Sequence, residues 1–332
     1  MPAVVLDDFT DSTLWSSSNP AQLALVDDTG VHAGFGDASV RVEASATAGG
    51  EFFERTVAAV DLSALGELRL WYRSSVVADG STQAPFQLQL ELGSAALPVG
   101  APGNDWLRYL PAFQGDRFEF VRLALDDLDP QVATALDTLR FTVVPPAGDG
   151  VSWTAWLDGL LACRPQLVVD VNAALVAALH NNLTLGAPVP AQVHAPGAAE
   201  PTAPWLRLVH YDALFSDPRT TAQRTRTDFT ETGYRLSPES VAYDLDYRIE
   251  PVTADPLEHA EMVEFVLNTL GPRGTLPVLG TELPVERLGS HKSDAKGDSA
   301  LLRYRVRARQ DRGLPVPVTP VGEVALETEQ TT

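Results

Sequence analysis

Residues 301–310 read LLRYRVRARQ, a stretch in which an arginine stands at every second position. Alternate side chains of a β-strand point to the same face of a sheet. The spacing therefore predicts a strand with one cationic face and one apolar face. The arginines are Arg303, Arg305, Arg307 and Arg309, and the apolar residues are Leu302, Tyr304, Val306 and Ala308.

A second alternating stretch, YDLDYRIEPV at 243–252, places Asp244 and Asp246 on one face. If this strand is an antiparallel neighbour of 301–310, its carboxylates meet the arginines, at about 0.2–1 kcal/mol for each facing pair. We then expect a charged sheet face, solvated or between subunits, above an apolar underside. The alternative is a stripe at a ring lumen or subunit boundary, where guanidinium groups bind a neighbour's carboxylates or lie along DNA.

The composition limits the possible classes of protein. The chain has 332 residues, enough for two domains of ordinary size, and carries 44 acidic against 24 basic residues, a net charge of −20. This balance disfavours generic attraction to nucleic acid or anionic lipid. The first residues lack the basic region of a signal peptide, and no stretch approaches the ~18 apolar residues of a membrane span, so we expect neither secretion nor a membrane partner.

Residues 1–165 are predicted to form an all-β domain. Short alternating segments follow one another, separated by Gly, Pro and Asp, at 39–44, 68–74, 86–92, 106–113, 118–125, 138–144 and 153–162. This spacing is typical of a β-sandwich or jelly roll.

Residues 166–332 are predicted to form an α+β domain. Helical spacing appears at 168–183, with Asp170 or Asn172 as N-cap. A second helix at 255–270 has an Asp255 cap, Pro256 at its first position and Gly271 after its end. Strands are expected at 205–214, 243–252 and 301–310.

The stretch DPRTTAQRTRTDF at 217–229 is predicted to be a long polar loop. It contains Arg219, Arg224 and Arg226. Such a loop is usually a solvated excursion between strands, but in a ring-forming protein it is also a place where neighbouring subunits touch.

Signatures of catalysis do not appear in the sequence. There is no G-x-S-x-G, Walker lysine loop or H-E-x-x-H motif, the six histidines lack metal-ligand spacing, and the lone Cys163 excludes an internal disulfide. We therefore expect no enzyme activity and no required cofactor.

The predicted sandwich contains a candidate carbohydrate site. Strand parity turns Trp71 outward together with Arg69, Arg73, Gln87, Gln89 and Glu91. An exposed Trp among polar side chains is typical of sugar-binding sheets, because the indole ring stacks on the apolar face of a pyranose. The alternative is that a loop or the second domain covers Trp71.

Three segments, LDDFTDSTLW, VHAGFGDASVRVEA and WTAWLDGLLA, give residues 1–165 a resemblance to the galactose-binding-like jelly rolls of carbohydrate-binding modules. That resemblance implies a β-sandwich and a structural calcium near the first and last strands. By position its ligands would be Asp8 and Asp158, with oxygen atoms that suit this hard cation. The other interpretation is that both residues are turn or capping aspartates.

The C-terminal half resembles phage tail-terminator proteins and the sheath-cap proteins of contractile injection systems. The similarity rests on VNAALVAALHNNL, APVPAQVHAP, LRLVHYDALFSD and residues 238–280. It implies a structural protein of a tailed bacteriophage virion, made in the host cytoplasm, that forms a hexameric ring as a tail terminator or neck (head–tail joining) component. Expected partners are copies of itself and other tail or neck proteins, with DNA only if it passes through the ring lumen. The alternative function is a carbohydrate-binding protein whose second half is an attachment domain.

Overall fold

The structure is a computed structural model that describes residues 3–46, 48–77, 87–115, 117–144, 152–195, 197–215, 224–230, 233–238, 240–292, 300–310 and 316–318. In chain order the strands are β1 (Ala3–Asp7), β2 (Ser16–Ser17), β3 (Leu23–Asp28), β4 (Ser39–Ala44), β5 (Phe52–Val60), β6 (Glu67–Ser74), β7 (Leu88–Gly93), β8 (Leu107–Leu110), β9 (Glu119–Ala124), β10 (Leu136–Val143), β11 (Trp153–Cys163), β12 (Thr184–Leu185), β13 (Ala187–Pro188), β14 (Ala191–Val193), β15 (Trp205–Phe215), β16 (Arg224–Thr230), β17 (Gly233–Pro238), β18 (Val241–Val252), β19 (Arg273–Val278), β20 (Thr281–Lys292), β21 (Ala300–Gln310) and β22 (Val316–Val318). The helices are α1 (Pro130–Ala133), α2 (Leu167–Leu179) and α3 (Pro256–Leu270).

The N-terminal half is a β-sandwich, as its alternating segments predicted. One sheet has the order β3-β4-β11-β6-β9, with β1 paired to β11, and the second begins β2-β5-β10-β7-β8. Both sheets contribute to one apolar core, because each turns alternate side chains inward. Four aromatic rings, Phe9, Trp15, Phe53 and Phe141, pack together in this core with centroids 5.1 to 6.2 Å apart.

The C-terminal half consists mainly of one six-stranded sheet with two helices on one side. Its sheet has the order β14-β15-β18-β21-β20-β19, and α2 and α3 pack on one of its faces. Helix α3 begins and ends as predicted, since the Asp255 carboxylate accepts the Leu257 N–H at 2.8 Å and Gly271 follows the last turn at φ 63°. This half has its own apolar core. The β-rich architecture is therefore confirmed, while a domain boundary at 165/166 stays a prediction.

Helix α2 differs from its prediction at the N-terminus. It begins at Leu167 after Gln166, and Asp170 lies inside the first turn instead of capping it. The Asp170 carboxylate reaches back and accepts the Gln166 N–H at 2.5 Å, so it still satisfies one of the donors left unpaired at a helix start. Burial raises the pKa of Asp170, opposed by this hydrogen bond and by the charge of Arg69.

The hairpin β16–β17 corrects the predicted loop at 217–229. Residues 224–230 form a strand that pairs with β17, and Phe229 stands opposite Tyr109, so the hairpin extends the second sandwich sheet beyond β8. Strand β22 pairs with β17 and continues the same sheet. The alternating threonines at 225 and 227 favour a strand. No helix in the described part of the chain is long and apolar enough to cross a membrane.

Candidate functional site

The predicted arginine strand is β21, which lies between β18 and β20. Asp246 stands opposite Arg305, and Asp244 stands opposite Arg307, so the antiparallel pairing expected from the sequence is confirmed. Leu302, Tyr304, Val306 and Ala308 are buried beneath the helices. The opposite side of the sheet is called the charged face below. It comprises Arg303, Arg305, Arg307 and Arg309 of β21, Asp244, Asp246, Arg248 and Glu250 of β18, Glu286 of β20, and Arg207 and Asp212 of β15.

Arg305 is at the centre of the charged face. Its Nε and Nη2 donate to the two carboxylate oxygens of Asp246 at 2.7 and 3.0 Å, and its Nη1 lies 3.4 Å from Asp244 Oδ2. The Asp246 side chain is 5% exposed and that of Arg305 is 26% exposed. The hydrogen bonds to Asp246 raise the pKa of Arg305 above its ordinary value. A bidentate pair this deeply placed holds β18 to β21.

The other arginines lie nearer the surface. Arg307 Nη2 donates to Glu286 Oε2 at 2.6 Å, with side-chain exposures of 45% and 35%. Arg303 donates twice to the Tyr211 hydroxyl, at 2.9 and 2.6 Å, and Arg309 is exposed at the end of β21. Arg307, Arg309 and Arg248 are thus the most exposed arginines of the charged face and are called the outer guanidinium layer below, whereas Asp244 and Asp246 lie deeper, at 16% and 5% exposed.

The second predicted arginine group is not part of this face. Arg224 and Arg226 lie in β16, on the sheet that extends from the sandwich, and Arg219 lies outside the described residues. Sequence reasoning also missed Tyr211 and Glu286, because their contacts with the arginines depend on strand order, which the sequence pattern leaves open.

The six residues of the candidate carbohydrate site are divided between two sheets. Arg69, Trp71 and Arg73 belong to β6, whereas Gln89 and Glu91 belong to β7 in the other sheet. The outer faces of a sandwich point away from each other. Gln87 precedes β7 and is buried. The six side chains therefore do not form one surface.

A turn from the C-terminal half covers Trp71. The indole N–H donates to Gly280 O at 2.9 Å, its ring lies 4.9 Å from that of Phe120, and Arg69 Nη1 donates to Leu279 O at 3.1 Å. We call Arg69, Trp71 and Phe120 with the turn Leu279–Gly280 the junction. The outcome matches the alternative that the second domain covers Trp71.

The junction depends on the shape of its turn. Leu279 and Gly280 both have positive φ, 47° and 78°, as the tight two-residue turn between β19 and β20 requires. A Cβ at Gly280 would lie 3.3 Å from a Leu161 methyl group. Nearby, the Arg73 guanidinium stacks 4.7 Å from the Trp156 ring centroid, so this second indole is also covered.

Gln89 and Glu91 lie in a polar row on the outer face of the second sandwich sheet. Thr142 Oγ1 donates to Glu91 Oε2 at 2.6 Å, and Gln89 Nε2 donates to the same oxygen at 3.3 Å. Tyr109 stands directly opposite Gln89 on β8. This row combines an amide, a carboxylate and a hydroxyl beside an aromatic ring.

Asp8 and Asp158 make hydrogen bonds of the kind expected for turn and capping aspartates. Asp8 is exposed, and its Oδ1 accepts the Thr10 N–H and hydroxyl. Asp158 is fully buried, and its Oδ2 accepts the Ala33 N–H at 2.6 Å. Burial raises the pKa of Asp158, opposed by backbone N–H groups of the same loop.

Calcium takes six to eight oxygen ligands. Asp158 Oδ2 already accepts an N–H group, while the buried Oδ1 has no hydrogen-bond partner in the part of the chain that the structure describes. Within the described ranges, no group of three or more His, Cys, Asp or Glu side chains could hold a metal ion. The hydrogen bonds of Asp8 and Asp158 favour the other interpretation from the sequence, that of turn and capping aspartates, and a structural calcium stays a prediction.

Comparisons with known proteins found weak structural similarity. No protein-family model and no curated protein matches the chain. A family 11 carbohydrate-binding module from Clostridium thermocellum is 13% identical over 49% of this chain and 96% of its own, with a TM-score of 0.33. The sheath/tube terminator of an extracellular contractile injection system, PVC, is 20% identical over 51% of this chain and 65% of its own, at 0.39.

A domain of bacteriophage CBA120 tailspike protein 4 is 13% identical over 47% of this chain and 20% of its own, with a TM-score of 0.33. At these identities and scores the resemblance to carbohydrate-binding modules and to the terminator is present but weak, and it assigns no family.

Proposed function

We propose that this protein is a structural component of a tailed-phage virion, a tail terminator or neck protein that assembles with copies of itself into a ring. The observation that supports this function best is the outer guanidinium layer of the charged face. Arg307 and Arg248 are 45% and 41% exposed, whereas Asp244 and Asp246 beneath them are 16% and 5% exposed.

This layer is unusual for a chain with a net charge of −20. A cationic layer on an acidic protein attracts the acidic surface of another copy and orients it, because opposite potentials guide protein association. DNA is the other polyanion that this layer fits, but the overall charge of the chain opposes it.

The link between the two halves supports a rigid building block. The junction fixes the sandwich to the turn Leu279–Gly280, and the hairpin β16–β17 extends a sandwich sheet from within the C-terminal half. A recognition module on a free tether needs neither contact. A projecting part of a ring requires a fixed orientation, which these contacts supply.

The proposal is tested by native mass spectrometry and negative-stain electron microscopy of the full chain. We expect a closed ring of fixed stoichiometry in about 0.15 M salt and its dissociation in about 1 M salt, where charges are screened within about 3 Å. A monomer at every concentration and salt would contradict ring assembly. Antibody labelling of this protein on purified virions then tests whether it lies in the tail or the neck.

Carbohydrate binding is the second candidate function, and the polar row of Gln89, Glu91, Thr142 and Tyr109 favours it. These groups offer donors, acceptors and one aromatic ring on a single sheet face. A glycan array tests this candidate. Binding that is lost in Glu91→Ala and kept in Trp71→Ala would support the polar row, and an array without any signal would remove the candidate.

A further inference from the structure

The C-terminal half presents two chemically different surfaces on opposite sides of one sheet. The charged face lies on one side, and α2 and α3 cover the other. A ring grows when one surface of each copy binds a different surface of the next, whereas a surface that binds itself closes a two-fold dimer. The outward sides of the two helices are therefore the place to look for a complement to the charged face.

Helix α3 has an acidic outward side. Its sequence PLEHAEMVEFVLNTL contains three glutamates and no lysine or arginine. Met262, Val266 and Leu270 are buried against the sheet, while Glu261 and Glu264 are exposed. These carboxylates have the sign that the outer guanidinium layer attracts.

The two polar residues of helix α2 lie on its inward side, beside the apolar residues that it buries. Asp170 is buried, and Asn172 points inward and accepts the Tyr247 hydroxyl at 2.9 Å. The outward positions are apolar instead, with Val169 50% exposed and Ala173 and Ala177 exposed one and two turns later. The outward side of a surface helix is normally charged or polar, so an apolar outward side favours contact with another molecule.

The charged face carries a matching apolar flank. Leu214 stands opposite Asp244 in the sheet register and is 42% exposed, and Tyr211, beside Arg303, is 41% exposed. Each of the two surfaces thus has a charged part and an apolar part, and the outer guanidinium layer is opposite in sign to the exposed glutamates of α3.

We propose that the charged face of one copy docks on the outward side of α2 and α3 of the next copy, in a head-to-tail contact. The proposal rests on the function proposed above, and it specifies which two surfaces meet. A contact of the charged face with its own copy would bring the two guanidinium layers together, which opposes association.

The experiment uses two charge-reversed full-length variants. The first carries Arg307→Glu and Arg309→Glu, and the second carries Glu261→Arg and Glu264→Arg. Each is expected to be monomeric by native mass spectrometry, since each brings like charges together. An equimolar mixture is expected to regain the ring with alternating copies, as is the chain that carries all four changes.

Matched controls change the net charge by the same amount as the test variants, at exposed positions in the sandwich or directly after its last strand. Arg117→Glu with Arg164→Glu matches the first variant, and Asp37→Arg with Asp105→Arg matches the second. Both controls are expected to form the wild-type ring. Circular dichroism and the melting temperature establish that every variant is folded.

The outcomes separate this proposal from the function on which it rests. A wild-type ring that persists in the Glu261→Arg, Glu264→Arg variant would overturn the head-to-tail contact and leave ring assembly intact. Failure of the mixture to reassemble, with both variants folded and monomeric, would also overturn it. A wild-type chain that is itself monomeric would overturn both.

Discussion

Replacing Arg305 by methionine removes the central cation of the charged face while keeping a side chain of similar length. Asp246, 5% exposed, then loses both hydrogen bonds of its bidentate pair. Breaking a buried pair by removing one partner costs about 3–5 kcal/mol. Because Arg305 is 26% exposed, water reaches the gap, and we expect a cost below this range, about 2–3 kcal/mol.

The matched control is Arg307→Met, which breaks the exposed pair with Glu286 on the same strand. Exposed pairs contribute about 0–1 kcal/mol. For a cooperative unit of 150–250 residues each kcal/mol shifts the melting temperature by about 2–4 °C. Calorimetry should therefore show a fall of roughly 5–10 °C for Arg305→Met and of less than about 4 °C for Arg307→Met.

A third variant tests the physical reason. Arg305→Met with Asp246→Leu replaces the pair by apolar side chains, and such replacements are often neutral. We expect it to recover most of the lost melting temperature. Equal effects of Arg305→Met and Arg307→Met would refute the reasoning, because burial of the carboxylate would then not decide the cost.

Three further predictions concern the junction and the buried carboxylates. Trp71→Ala removes the hydrogen bond to Gly280, so amide hydrogen exchange at the Leu279–Gly280 turn should rise while that of the sandwich core is unchanged. Equal exchange in wild type and variant would contradict a role of Trp71 in holding this turn against the sandwich. Asp170→Asn removes a carboxyl whose pKa is raised by burial. The folded wild-type protein binds more protons than the unfolded chain between about pH 4 and this raised pKa, so its stability falls as the pH rises through that window. The stability of the variant relative to wild type should therefore grow as the pH rises from about 4 to 7, and a difference that is constant with pH would refute this. Calcium or EDTA should leave the melting temperature unchanged, whereas Asp158→Ala should cost about 1–3 kcal/mol by leaving the Ala33 N–H without its acceptor; stabilisation by calcium would restore the metal interpretation.

Sequence reasoning worked where a local pattern is enough. The alternation used to predict the strand at 68–74 agrees with the structure, where Leu68, Leu70 and Tyr72 are buried, because side-chain alternation is a property of every strand. The cap and ending of α3 were also predictable, since Asp, Pro and Gly act through adjacent backbone groups. Strand β5 was not predicted because its second half, residues 57–60, is the continuous apolar run VAAV, which lacks the alternation that marks a half-buried strand.

Sequence reasoning was insufficient wherever distant segments meet. Trp71 has the parity of an exposed platform residue, but a turn more than two hundred residues away covers it. Residues 224–230 were assigned to a loop because their pairing partner β17 and their neighbour β8 are not visible in the local pattern. Asp158 has the position of a metal ligand, yet the loop at Ala33 turns N–H donors toward it.

The sequence by itself determined the strand alternation, the two helical segments and the opposite charges of 243–252 and 301–310, because these follow from residue order along one segment. Only the tertiary structure decided which arginine of β21 forms the deep pair with Asp246, what covers Trp71, and that α2 also has an exposed apolar side. These features depend on which segments pack together. Packing is selected by the free energy of the whole core, which no single segment determines.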